Sequence, residues 1–293
     1  MTIIYQRHRT YSLVVGDIKT GEGFEISNDL NISFDCTKTS SNKDKSNSCV
    51  IDVYNLSKEK QKWLEKPYIG VVLSVGYHDT TIKRLFSGQA TSVSTTKSGT
   101  DTVTQITIGD AYVPLNHQTV TKVIPEGSTV GDCYKELGKI MGVDQTVLNG
   151  QNINTELLDG YPISGSCRQT LDELSNAYNV DWNVDGNVLR AYDADGTSTD
   201  DLNTAVVISR STGMINLPYH ISGDVRRTKK DKAKKEGVQV QILLNPELSP
   251  GSIVKIEDEN FEGYYKISSL RSYGEWRGSA WYTDLRLEKK IKV

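Results

Sequence analysis

The sequence predicts a mainly β chain with an α+β insertion: two small β-barrel domains flanking a helix-plus-hairpin middle domain. Three observations predict it. Apolar and polar residues alternate through most of residues 28–110 and again through 202–293, the period of half-buried strands. Between them, over residues 128–178, the apolar spacing lengthens to that of amphipathic helices. A composition with 24 Gly, 15 Tyr against 4 Phe, and recurrent Thr and Val favours strands and turns over long helices. At 293 residues the chain has room for three modest units, at 1–113, 114–197 and 198–293, each burying its own core.

In the first unit, strands are expected at Val71–Tyr77, Ile82–Gln89 and Val103–Ile108, with His78-Asp79 and Ser98-Gly99 as turns. One helix, Ser57 to Glu65, is capped by Ser57, packs through Trp63 and Leu64, and stops at Pro67. A meander of this length is expected to close into a barrel or sandwich, because an open sheet leaves edges unpaired. Leu30, Ile32, Phe34 and Cys36 share one strand face, and Cys49, Ile51 and Val53 another. If the two strands form a hairpin around Thr37–Ser48, one register sets Phe34 opposite Ile51 and Cys36 opposite Cys49. The opposed cysteines could cross-link. The N-terminus lacks the apolar core of a signal peptide, so a reducing compartment and two packed thiols are expected instead.

In the middle unit, Val130, Cys133, Leu137, Ile140 and Met141 fall on one helical face of Ser128–Met141, and Gly142 sits where a helix ends in positive φ. Cys167, Leu171, Leu174 and Tyr178 repeat the pattern after Ser166, which with Gln169 forms an expected capping box. The alternation of "VDWNVDGNVLRAY" around Asp185-Gly186 predicts a hairpin. The third unit returns to strands at Ala205–Ser209, Val238–Leu244, Ser252–Ile256, Gly263–Ser269 and Trp281–Glu288, punctuated by Asn245-Pro246 and Pro250-Gly251. Two β-rich ends of similar size suggest a duplication, although identity between them is too low to establish a repeat.

Catalytic chemistry finds little support. The four cysteines, Cys36, Cys49, Cys133 and Cys167, and the four histidines, His8, His78, His117 and His220, have no metal-site spacing. No phosphate-binding loop, nucleophile elbow or dinucleotide motif precedes a helix. The 37 acidic residues permit a hydrolytic pair somewhere, but nothing singles one out. The chain is therefore read as no enzyme, with no catalytic, cofactor or metal residues. Asp193 to Asp201 gathers carboxylates but departs from the calcium-loop pattern and reads as a solvated turn. The net charge of -3 argues against a surface built throughout for nucleic acid. Arg226 to Lys235, with seven basic residues and one acidic, reverses that charge locally. It reads as a solvated loop or as a contact for DNA or an acidic partner, and it carries no aromatic residue for bases to stack on. Tyr264, Tyr265, Tyr273, Trp276, Trp281 and Tyr282 suggest a sugar-binding face, but alternation must turn some of them into the core. No apolar run approaches the ~20 residues of a membrane-spanning helix.

Seven pieces in order carry a family resemblance: Tyr54-Asn55-Leu56-Ser57; Gly76-Tyr77; Phe86-Ser87-Gly88; "GSCRQTLDELSNAYNVDWNVDGNVLRAY"; "SRSTGMINLP"; "GVQVQILLNPELSPGSIVKI"; and "FEGYYKISSLRSYGEWRGSAWYTDLRL". The chain resembles the baseplate hub proteins of contractile-tailed bacteriophages, which join tail tube to central spike. The resemblance implies a structural virion protein of the tail baseplate, assembled in the host cytoplasm, whose two end domains are tube-like barrels. It also implies a homotrimer forming a pseudo-hexameric ring. Its implied partners are the tail tube protein, spike protein, tape-measure protein and neighbouring baseplate proteins, with DNA passing the channel. The basic run departs from the pattern as an insertion. The middle modules also look something like peptidoglycan-binding LysM units, so the alternative is a cell-wall carbohydrate-binding protein.

Overall fold

The fold is that of a computed structural model, which describes residues 8–17, 20–40, 47–66, 69–78, 81–110, 115, 118–199, 204–221 and 237–290. The first segment forms seven strands: β1 (Arg9–Asp17), β2 (Gly23–Ser27), β3 (Ile32–Thr39), β4 (Ser48–Tyr54), β5 (Ile69–Tyr77), β6 (Lys83–Ser98) and β7 (Asp101–Gly109). They pair in the order β3-β4-β7-β6-β5-β1-β2. Strict alternation turns Ile32, Phe34 and Cys36 inward from β3 and Cys49, Ile51 and Val53 inward from β4. Helix α1 (Lys58–Leu64) follows β4, and the Ser57 hydroxyl accepts from the Lys60 amide as its cap.

The β3–β4 register sets Phe34 opposite Ile51 and Cys36 opposite Cys49, as the apolar pattern requires. The structure joins Cys36 and Cys49 as a disulfide, with Cα atoms 3.9 Å apart, which corrects the expectation of two packed thiols. That expectation came from the compartment, whereas the pairing comes from the register. Mass spectrometry after thiol blocking without reductant is expected to find the two cysteine peptides joined. Alkylation of both would restore the thiol reading.

β6 runs nine residues past the Gln89 at which alternation ends. Beyond a bulge at Ala90/Ser92, it and β7 form a mostly exposed Thr- and Ser-rich hairpin. With water on both faces, nothing selects an apolar side, so the period that marks strands is missing there.

The middle segment contains β8 (Thr119–Ile124), β9 (Ser128–Thr129), β10 (Gln145–Asn149), β11 (Glu156–Leu157), β12 (Tyr161–Ser166), β13 (Val180–Asp185) and β14 (Val188–Asp193). Among the described residues its long helices are α2 (Val130–Met141) and α3 (Cys167–Tyr178). A capping box between Thr129 and Asp132 starts α2, and Gly142, at φ 68°, ends it. Ser166 accepts from the Gln169 amide at the start of α3, but the Gln169 side chain donates to Glu173 instead of completing the expected box. Both helices pack their apolar faces on β13 and β14, around the fully buried Trp182. The β13–β14 turn lies one residue later than expected. Gly186 and Asn187 take φ of 61° and 65°, and Asp185 pairs with Val188 as the last strand residue.

The last segment contains β15 (Val206–Ile208), β16 (Tyr219–Ile221), β17 (Gly237–Leu243), β18 (Ile253–Ile256), β19 (Gly263–Glu275) and β20 (Trp281–Lys290). β19 is the pivot. Along one edge its first half pairs with β18 and its second half with β3, from Ser269–Thr39 to Glu275–Ser33. The change of partner coincides with irregularities in its β20 ladder. The two β-rich ends therefore share one 13-stranded sheet. No ladder closes either end into a barrel among the described residues, so the strand pairings do not show the barrel closure expected from the sequence. The core of the first end also includes Leu244 and Trp281 from the last segment. Among the described residues, no helix is long and apolar enough to cross a membrane.

Candidate functional site: the junction of the middle module with the sheet

The β13–β14 hairpin docks against the sheet through consecutive residues. Asn183 donates to the Thr39 carbonyl at 3.3 Å, and the Val184 carbonyl accepts from the Asn47 amide group at 2.6 Å. The Asp185 carboxylate meets Lys38 Nζ at 2.7 Å and accepts from the Ser249 hydroxyl at 3.1 Å. The Gly186 N–H donates to Asp110 Oδ2 at 3.1 Å, and its carbonyl accepts from Arg84 at 3.1 Å. Farther along, the Tyr192 hydroxyl donates to the Ser40 carbonyl at 2.6 Å. Lys266 Nζ lies 4.8 Å from the Tyr192 ring centre and 3.8 Å from Asp181. Asn47 also holds its own side of the contact, accepting from the Thr39 amide at 2.9 Å.

Both carboxylates at this junction are buried, and their surroundings drive them apart. Asp110 is pushed up to about 7, first by loss of water and then by the neighbouring Asp185. Burial also acts to raise Asp185, but Lys38 outweighs it and holds that carboxyl below the usual range. Gly251, at φ 82°, belongs to the same junction: a Cβ there would stand 2.6 Å from the Tyr192 hydroxyl.

The other sequence features find structural uses. Among the described residues, no group of three or more His, Cys, Asp or Glu is placed to hold a metal ion. The Asp193 carboxylate accepts from the Gln151 and Asn152 amides at 2.8 and 3.0 Å, pinning the short 3₁₀ turn at Asn152–Asn154. His8 stands edge-on to His78, and His220 packs on Phe261. His117 and the basic run Arg226 to Lys235 lie outside the described residues.

The aromatic group does not make one face. Trp281 and Tyr265 are buried, and Trp276 donates to the Arg9 carbonyl and stacks edge-on against Tyr11. Tyr273 meets Tyr282 edge-on and accepts from Gln241. The exposed apolar residues fall elsewhere. Ile215, Leu217 and Tyr219 alternate along the edge beside β17, Val123 and Leu158 lie on the middle module, and Val14 stands on β1. Periodicity identified the hairpin, but the sequence reading missed the junction, because Asp110, Lys38 and Asn47 are polar residues that the chain pattern assigns to strand ends and loops. The one available signal is the Asp185-Gly186 pair, which places a carboxylate at a hairpin tip.

This fold is similar to those of solved phage-tail proteins. A tail protein from Neisseria meningitidis MC58 aligns with a TM-score of 0.62 at 13% identity, covering 95% of this chain and 96% of its own. The 43 kDa tail protein of prophage MuSo2 from Shewanella oneidensis aligns with a TM-score of 0.61 at 11% identity, covering 95% and 98%. The E. coli c3393 protein, a type VI secretion component described as structurally similar to T4 tail proteins gp27 and gp5, aligns at 0.55 and 10% identity, covering 88% and 73%. No curated protein matches the sequence. The family model "Baseplate hub gp41" matches residues 13–270, and the chain belongs to that family. It is thus a structural component of the phage baseplate.

Proposed function

We propose that three copies of this chain close into a ring in which six β units, two per chain, continue the six-fold tail tube on one face and receive a trimeric spike on the other. The observation that carries this reading is the β3–β19 ladder, which fixes two β-rich units side by side within one chain. A cyclic trimer of such chains presents six quasi-equivalent units while keeping three-fold symmetry, which is what a joint between six-fold and three-fold partners needs. The units are 1–113 and 198–293, with 114–197 as the middle module outside the ring.

The ring sits in the virion's tail baseplate after assembly in the host cytoplasm, in contact with tube, spike, tape-measure and neighbouring baseplate proteins. DNA meets it only in passing the channel. The role is architectural and not catalytic. Wall binding is the weaker reading, because the aromatic residues that a sugar face would use are divided between core and sheet edges. Light scattering followed by electron-microscope class averages is expected to find about three chain masses and a three-fold ring with a central channel. A particle of any other symmetry refutes the ring.

A further inference from the structure

We propose that Asp110 is a proton-controlled latch: the β13–β14 hairpin of the middle module closes on the sheet when Asp110 carries a proton and loosens when it does not. Three charged side chains meet at this contact, and their charges do not cancel. Asp110, Asp185 and Lys38 are all buried, giving two acids to one ammonium. Lys38 is committed to Asp185 at 2.7 Å. The two guanidinium groups nearby are turned to carbonyls, Arg84 to that of Gly186 and Arg190 to that of Asp185. Asp110 is left with dipoles, the Gly186 N–H and the Asn47 side chain. A buried carboxylate without a counter-ion is costly, so the closed junction is balanced when Asp110 is neutral.

The sign follows from linkage. Asp110 holds its proton to about 7 in the closed state, against an ordinary value of 3.8, so closing takes up a proton between these limits. The closed state is favoured at the acid end of that window and loses stability as pH rises through it, with no further change above about 7. Opening there should approach tenfold more population per pH unit, the limit for one proton. Asp185, held low by Lys38, works in the opposite sense and below this window.

The test is hydrogen exchange on the full chain, comparing wild type with Asp110→Asn at the same pH so that intrinsic exchange rates cancel. At pH 4, close to the ordinary carboxyl value, the Val180–Asp193 amides of the two proteins should be protected to within about threefold of each other. At pH 8 those of the variant should be at least about tenfold better protected, with the β4 and β7 amides unchanged. Equal protection of the hairpin at pH 8, or a pH effect shared equally by β4 and β7, overturns the latch. Asp185→Asn supplies a second arm. It releases Lys38 to Asp110, so the wild-type pH dependence between 5 and 7 should disappear, and its persistence overturns the proposal equally.

Discussion

Replacing Lys38 with methionine is expected to destabilise the chain by about 3–5 kcal/mol, the usual result of removing one partner from a buried ion pair. Methionine keeps most of the side-chain volume and the contact with Phe86, whose ring centre lies 5.9 Å from the ammonium. The loss is therefore electrostatic. Asp185 would keep the hydrogen bond from the Ser249 hydroxyl but lose its ammonium partner, buried and close to Asp110. Either carboxylate must then be buried charged or take up a proton, and stability should fall more steeply with rising pH than in wild type. Adding Asp185→Leu removes the orphaned charge, and the double variant should recover most of the loss, since replacing both partners of a buried pair by apolar groups is often nearly neutral. Denaturant midpoints of the four proteins in this cycle test it. A Lys38→Met protein within about 1 kcal/mol of wild type would show that water reaches the pair, as it does in surface salt bridges.

The parts that followed from the sequence were those that one residue's period or one cap could specify. The inward faces of β3 and β4, the Cys36–Cys49 register and helices α1, α2 and α3 all follow from spacing or from Ser57, Gly142 and Ser166. What spacing could not specify was how far the strands reach and what they pair with. Nothing in "GYYKISSLRSYGE" says that its second half leaves β18 for β3, 236 residues distant at Arg271 and Asp35, so two closed units were expected where one continuous sheet exists. Arg271 and Asp35 do form a two-pronged ion pair across that seam, but either residue alone reads as ordinary surface charge. The junction was hidden for the same reason. Its carboxylates and Lys38 matter because the fold removes water from around all of them at once, a property of assembly that no local pattern records.

Replacing Trp281 with alanine is the second large expected effect, a loss of about 3–5 kcal/mol, and it bears on the proposed ring. Trp281 opens β20, yet it packs in the core of the first segment, edge-on to Phe34 with ring centres 5.1 Å apart. Gly274 makes this possible. It pairs with Phe34 in the β3–β19 ladder, and a Cβ on it would stand 2.5 Å from the Trp281 ring and 3.0 Å from that of Phe34. The indole N–H has no hydrogen-bond partner among the described residues, so the residue contributes through its apolar bulk and its fit. Removing it opens a cavity where the two β-rich ends are fused. If the seam holds the two units at a fixed spacing, Trp281→Ala should shift thermal unfolding of both ends together, and the folded variant should form rings less readily than wild type at equal concentration. Trp182→Ala is the matched control, because it removes an equally buried indole from the core of the middle module, away from the seam. Similar loss of stability in both variants, with ring assembly impaired only by Trp281→Ala, would tie assembly to the seam, whereas equal impairment would mean that any large core defect prevents closure.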